Sequence, residues 1–272
     1  MKPKTKCLLF LVLTISVNSF ALDNHRIGAR ALGLSHAFVS FSDTWSTFHN
    51  QAGLAGVSAV SAGFFYESKF NIDELSLASG SIVLPVKAGA FGVSFFQFGK
   101  GSFKEHKFGL AFSKKLTSSL SAGMQLDYFS QTFPENERAK GFATFEGGLI
   151  WNPADKLFLG SHVFNPISAG IETPTGKQKM PLVFRIGGHY EFDEMVLATV
   201  EIEKKSNYSA LLKTGIEFQP AKNLALRFGV AGKSINYTAG IGYKTGKLST
   251  DIGFSYHGNL GVTPSVSVQF EL

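Results

Sequence analysis

The chain has 272 residues, of which 44% are hydrophobic, 13% aromatic and 17% charged, with 29 glycines and 27 phenylalanines. That is long enough for one large β-domain and too rich in aromatic groups for a disordered chain. The formal net charge of +6 falls to +3 once the three lysines of the first six residues are set aside, and no basic stripe with interleaved aromatics occurs, which excludes a nucleic-acid partner.

In chain order, the first element predicted is a signal peptide over residues 1–21. Lys2, Lys4 and Lys6 form a positive start, residues 7–17 an apolar core, and Ser19-Phe20-Ala21 a small-residue cleavage signal before Leu22. The apolar run is shorter than the roughly 20 residues of a spanning helix. It holds the single cysteine, Cys7, so the mature chain is expected to contain no disulfide.

Residues 22–57 read as a plug. Ala31, Leu34, Phe38 and Phe41 recur at helical spacing, and Ser42 or Asp43 is placed to cap a second short helix bearing Trp45 and Phe48. Gly28, Gly33 and Gly53 suit tight packing, and four aromatics (Phe38, Phe41, Trp45, Phe48) are more than a solvated linker requires.

From residue 58 to 272 the chain alternates. In 262–272 one face carries Val262, Pro264, Val266, Val268, Phe270 and Leu272, the other Thr263, Ser265, Ser267, Gln269 and Glu271. The same pattern recurs in 248–257, 235–244 and 182–192. Side chains alternate across a strand, so each segment has one apolar and one polar face. The polar face is rich in Gly, Ser, Thr and Ala, which cannot pack a dry core, and an apolar outside around a polar inside is the transmembrane-barrel pattern. The fold class is therefore all-β: an antiparallel transmembrane β-barrel with a short helical N-terminal plug. About fourteen strands are expected, centred on Ala62, Ile82, Gly92, Leu110, Met124, Phe145, Leu159, Ile186, Val200, Ile216, Phe228, Ile241, Phe254 and Val268.

An even number keeps both termini on the periplasmic side. Short turns are expected there at 85–87, 116–117, 152–155, 193–194, 220–223 and 246–247, and the two longest connections, 131–140 and 165–179, then fall on the outside. The last strand, ending in Phe270 and Leu272, looks like the signal read by the barrel-assembly machinery.

Few residues suggest chemistry. Ala231-Gly232-Lys233-Ser234 ends like a phosphate loop, but Arg227 stands where the motif needs glycine and no helix follows. The seven histidines show no metal-ligand spacing. Arg185, His189, Glu191, Lys213, Glu217, Arg227 and Asp251 are predicted to face the lumen, where their mixed signs suit a wall-bracing network better than an ion-selective ring. No enzyme activity, cofactor or metal is expected.

The N-terminal segment carries a resemblance. Gly28-Ala29-Arg30-Ala31-Leu32-Gly33-Leu34-Ser35-His36-Ala37, followed by Asn50-Gln51-Ala52-Gly53-Leu54-Ala55, resembles the hatch of the outer-membrane long-chain fatty-acid transporters (FadL-type) and of their relatives in type IX secretion (PorV/PorQ-type). The resemblance implies a fourteen-stranded barrel whose plug controls sideways passage of hydrophobic molecules into the membrane. It makes Gly28, Arg30, Gly33, Asn50, Ala52, Gly53 and Leu54 the hatch motif. A gap would then lie in the third strand, where Gly89 and Gly92 either permit a kink or make room for plug side chains. Gln51 replaces the family's usual proline, and the outer connections are short: 131–140 is charged, and 165–179 offers only Ile167 and Ile171 as large apolar groups. The resulting expectation is a conduit for small hydrophobic, fatty-acid-like molecules, with outer-membrane lipid and the barrel-assembly machinery as partners. The alternative is a non-transport barrel bound to proteins of a type IX secretion or surface-attachment complex.

Overall fold

The structure is a computed structural model that describes residues 23–101, 103–133, 136–173, 176–232 and 236–272. The expected signal peptide lies outside the described residues, as do Lys233 and Ser234 of the phosphate-loop look-alike.

Fourteen of the described strands close a barrel: β1 (Ser61–Ser68), β2 (Ser76–Val86), β3 (Gly89–Phe98), β4 (Lys104–Lys115), β5 (Leu120–Phe133), β6 (Asn136–Ala154), β7 (Leu157–Phe164), β10 (Val183–Glu191), β11 (Val196–Lys205), β12 (Leu211–Ala221), β13 (Leu224–Ala231), β14 (Asn236–Thr245), β15 (Leu248–His257) and β16 (Gly261–Glu271). Two more, β8 (Gly170–Thr173) and β9 (Gly176–Lys179), pair as a separate hairpin in the connection from β7 to β10. Every barrel strand is antiparallel to its neighbours, and β1 closes the ring against β16. Each expected strand centre falls inside a barrel strand.

The alternation dictates this arrangement. In β4, Phe108 and Leu110 stand more than half exposed on the outer face, whereas Glu105 and Lys107 are buried inside. The same holds for Leu126 and Tyr128 against Gln125 and Asp127 in β5. An outward apolar band around a polar interior is stable only where lipid replaces water on the outside.

Leu272 N–H donates to Val60 O (2.8 Å), so the barrel starts and finishes at one end, called here the terminal end. The short turns lie there: 87–88, 116–119, 155–156, 192–195, 222–223 and 246–247. Two outer connections differ from expectation. Segment 131–140 is mostly strand, because β5 and β6 extend to within two residues of each other. Segment 165–179 is structured by the β8–β9 hairpin, which folds inward and buries Ile171 completely.

The plug also departs from the predicted helices. Helix α1 covers only Ala29–Gly33, because Ser35 and His36 adopt left-handed φ values of 54° and 57°, which end a right-handed helix. Thr238 holds that turn: its Oγ1 accepts from Ser35 N–H at 3.1 Å. Phe38 and Phe41 therefore share no helix; their rings stack at 4.2 Å beyond the turn. Helix α2 (Ser46–His49) follows Asp43, whose Oδ1 accepts from Trp45 N–H (2.8 Å), so Trp45 precedes the helix instead of lying in it. A 3-10 turn, Gln51–Gly56, then leads towards β1.

Candidate functional site

The candidate site is the lumen, which the plug fills. Close approach is possible because wall residues facing the plug are small. A Cβ on Gly123 would lie 2.4 Å from the backbone carbon of Gln51, and one on Gly160 2.3 Å from Val39 O. Gly92 is part of the same cradle: its missing side chain leaves room for Leu54 and Thr47. Gly89, with φ +154°, begins β3 at the turn. The hydrogen-bonded ladders from β2 through β3 to β4 run without a register shift past both glycines, so strand pairing is unbroken there.

The hatch-motif residues each have a structural task. Gly28 takes φ +103° under the Trp45 ring. Arg30 makes a two-pronged ion pair with Glu217, Nε and Nη2 each at 2.9 Å. Gly33 lies against Arg227 and Gly240 of the wall. Asn50 ties the plug to itself and to the wall: Nδ2 donates to Val39 O (2.7 Å), Leu149 O (3.1 Å) and Ser161 O (3.2 Å), while Oδ1 accepts from Ala52 N–H (3.1 Å). Ala52 O accepts from Ser113 Oγ at 3.1 Å. Gly53 leaves no space for a side chain beside Phe41 O, and Leu54 packs with Val83, Ala90 and Ala111. Gln51, in place of proline, donates from Nε2 to Thr47 O (3.2 Å).

Around the plug the wall divides into two sectors. On β10–β15 it is charged. Lys213 Nζ sits between Glu201 Oε1 and Glu203 Oε2, 2.7 Å from each. Glu201 Oε2 also accepts from the Phe38 and Val39 N–H groups (2.9 Å each), and Arg26 of the plug reaches Glu203 at 2.6 Å. Below this, Arg227 bridges Glu217 (2.6 Å) and Asp251 (2.7 Å). Burial disfavours the Arg30 cation, but the adjacent Glu217 carboxylate outweighs it and holds the guanidinium above its ordinary pKa.

The seven predicted lumen charges are thus partly brought together: Glu217, Arg227 and Asp251 form one network with Arg30, and Lys213 belongs to another. Arg185 stands apart and donates to His162 (3.0 Å). His189 lies between the rings of Phe41 (4.2 Å) and Phe158 (4.6 Å), with Nδ1 2.8 Å from Ser40 Oγ. Glu191 is half exposed at the terminal end, 3.9 Å from His189. Sequence reading omitted Arg26, Glu201 and Glu203, together with Lys107, Asp127 and Glu146, which pair at 3.2 and 2.7 Å. The alternation of β4, β5, β6 and β11 carried the signal, since all these wall residues fall on the inward face.

On β1–β7 the lumen carries a cluster of aromatic rings beside the buried Lys107–Asp127–Glu146 group, with the Lys107 ammonium 5.5 Å from the centres of the Phe129 and Phe164 rings. Phe65, Phe96, Phe129 and Phe164 are fully buried, with Phe98 and Phe142 packed against them. Phe129 stacks on Phe142 at 5.3 Å and meets Phe164 edge-on at 5.8 Å. The plug adds Ile27, Trp45 and Phe48 to this cluster, and Ile171 and Met180 close it from the hairpin side. Trp45 and Phe65 meet edge-on at 6.3 Å. Phe270 and Leu272 of the expected assembly signal are exposed on the outer face and at the chain end.

No family model and no curated protein matches the sequence. Solved structures do share the fold. The chain is similar to the toluene transporter TbuX of Ralstonia pickettii (TM-score 0.70, 11% identity, 90% of this chain and 98% of that one). It is also similar to the toluene transporter TodX of P. putida (TM-score 0.68, 13% identity, 92% and 99%). A third similar structure is a FadL homologue of Pseudomonas aeruginosa (TM-score 0.61, 13% identity, 90% and 98%).

Proposed function

We propose that the chain is an outer-membrane barrel of the FadL type that conducts small hydrophobic molecules through its lumen. The observation that carries this reading is the continuous aromatic sector inside the barrel, from Phe98 and Phe142 down to Phe48 and Trp45 of the plug. A barrel needing only to exclude water has no use for phenylalanine on its inward face, where alternation normally sets polar groups. These rings are packed against the plug and the β8–β9 hairpin; a greasy solute that enters as those part gains free energy among them, because its apolar area leaves water there. The charged sector opposite holds the plug in register through Arg26–Glu203 and Arg30–Glu217. With an even strand number the terminal end faces the periplasm and the loop end the exterior. The similar barrels described as toluene transporters and as a FadL homologue supply the substrate class.

Uptake is the test. Cells lacking their own hydrophobic-compound transporter and expressing this chain take up labelled toluene or oleate faster than cells carrying an empty plasmid. Replacing Phe129 by Asp removes the ring that stacks on Phe142 and meets Phe164, sets a charged group in its place and abolishes the gain. Equal uptake with and without the chain contradicts the reading.

A second reading has its own support in the short loop-end connections and the ladders that close the whole ring. It makes the chain a non-transport barrel in a secretion or surface-attachment complex. Crosslinking in the native membrane that recovers a defined envelope protein together with absent uptake favours it.

A further inference from the structure

A cavity of 390 Å3 lies at the loop end, above α1 and beneath the residues that follow β1 and β15. Its volume is at the lower end of the range of about 300–1,000 Å3 typical of small-molecule sites, which suits one compact solute. Leu32, Leu211, Phe70 and Tyr256 give it apolar walls. Leu77 also lines it and belongs to the aromatic cluster, so the cavity adjoins the proposed conduit at its outer mouth.

The charges around the cavity balance one another. Arg26 pairs with Glu203 at 2.6 Å, and Asp23 with Lys205 at 2.7 Å. Glu67 and Lys69 line the cavity with opposite charges, and Lys69 and Arg26 both act on the Glu67 carboxylate. A charged solute entering here gives up its water and meets no free counter-ion, and burying a charge unpaired is costly. The hydroxyls are arranged differently. Thr238, Ser255 and Thr263 line the cavity from β14, β15 and β16, each directly opposite the next across the ladder. Thr238 Oγ1 accepts from Ser35 N–H (3.1 Å) and donates to Gly33 O (3.2 Å), and Thr263 Oγ1 accepts from Phe70 N–H (3.1 Å). Ser255, between them, is partly buried on the inward face, and its hydroxyl has no hydrogen bond among the described residues.

We propose that this cavity binds a small neutral aromatic alcohol, with the Ser255 hydroxyl as the partner of the ligand's own hydroxyl. The apolar walls take the ring, and the Ser255–ligand hydrogen bond replaces the one that Ser255 makes to water. A hydrocarbon of the same shape strips that water and returns nothing, and a site built around a hydrogen bond to a ligand hydroxyl discriminates against the analogue that lacks it. An amine or a carboxylate carries a charge that the balanced lining does not compensate. The proposal deepens the conduit reading by naming a hydroxyl-bearing class of solute at the outer mouth. It rests on that reading for the route onward and not for the binding itself.

The test is calorimetric titration of the detergent-purified full-length mature protein at neutral pH with 2-phenylethanol, against ethylbenzene, 2-phenylethylamine and phenylacetate, each with a matched detergent blank. The alcohol is expected to bind saturably at one site, about tenfold more tightly than the hydrocarbon and by at least about that margin over the two charged analogues. Ser255→Ala is expected to weaken the alcohol about tenfold, to the level of ethylbenzene, and to leave ethylbenzene unchanged. Ala231→Phe, which fills the cavity from the β13 side, is expected to abolish binding of both. Folding of each variant is checked by its heat-dependent shift on SDS gels; should Ala231→Phe not assemble, Ser255→Ala and the ligand series decide. No saturable alcohol binding, equal binding of ethylbenzene or of either charged analogue, or binding indifferent to the variants overturns the proposal. Quenching of Trp45 by a brominated fatty acid, measured on the same preparation, separates the two readings. Quenching without alcohol binding overturns this proposal and leaves the conduit standing, whereas alcohol binding without quenching supports the cavity site and contradicts the conduit.

Discussion

Three histidines of the plug, His25, His36 and His49, are buried inside the barrel. Burial pushes the His49 pKa down to about 3, and Arg185 nearby adds to the effect; His25 falls to about 3 through burial and Lys69. His36 is also lowered, by burial and Arg26. Undocked, each ring titrates near its ordinary 6.5. A base whose pKa is depressed on docking stabilises the docked state above pH 6.5, and that stabilisation is lost as pH falls from 6.5 towards 3. By pH 5 the loss is about 2 kcal/mol for His49. Asp43 acts in the opposite sense: burial raises its pKa to about 6, so docking becomes easier between pH 6 and 3.8, offsetting about 1 kcal/mol of the histidine effect by pH 5. Acrylamide quenching of Trp45 is therefore expected to rise between pH 7 and pH 5, and to rise less in His49→Gln, which keeps a donor for Ile27 O without a titrating ring; flat quenching across that range contradicts the account. At this scale the sequence was only half readable. Alternation shows which charges point inward, but not that Lys213 pairs with two acids of β11.

Among the elements, the 3-10 turn and the hairpin carry the sharpest expectations. The turn rests on Gly123 of β5 so closely that any Cβ meets its backbone. Gly123→Val should lever the turn away and expose the plug to limited proteolysis, with the barrel's heat-modifiable gel mobility retained; a plug that remains resistant argues against the cradle. Ile171 is buried by folding the β8–β9 hairpin inward over the aromatic sector. Truncation of such a core residue costs about 2–5 kcal/mol, so Ile171→Ala loosens the hairpin and is expected to raise hydrophobic uptake severalfold, whereas unchanged or lower uptake would show that the hairpin does not restrict entry. The strands were legible because period-two patterning repeats in each. The plug's helices were not, since Ala31, Leu34, Phe38 and Phe41 keep helical spacing while Ser35 and His36 turn the chain left-handed between them. That turn is fixed by a hydroxyl of β14, more than two hundred residues away. The hairpin was hidden for a similar reason: its inward fold depends on the cluster that receives Ile171.

For the molecule as a whole, the proposed conduction of apolar solutes rests on how the lumen is divided. One side is a charged frame that fixes the plug; on the other, along β1–β7, a cluster of aromatic rings packs beside the Lys107–Asp127–Glu146 group. Patterning understates that cluster, because β3 is apolar on both faces: Phe91, Val93 and Phe95 look outward while Phe96 and Phe98 look inward. Only closure of the sheet separates the two sets. Tryptophan reports directly on whether a ligand reaches the cluster. The chain has two tryptophans: Trp45 is buried where plug and aromatic sector meet, and Trp151 is exposed on the outer face. The decisive measurement is titration of the detergent-purified protein with a brominated long-chain fatty acid, compared with the Trp45→Phe variant, in which only the outer Trp151 remains to be quenched. A lumenal conduit predicts saturable quenching that vanishes in the variant; quenching that is absent, or that rises without saturation equally in both proteins, contradicts it.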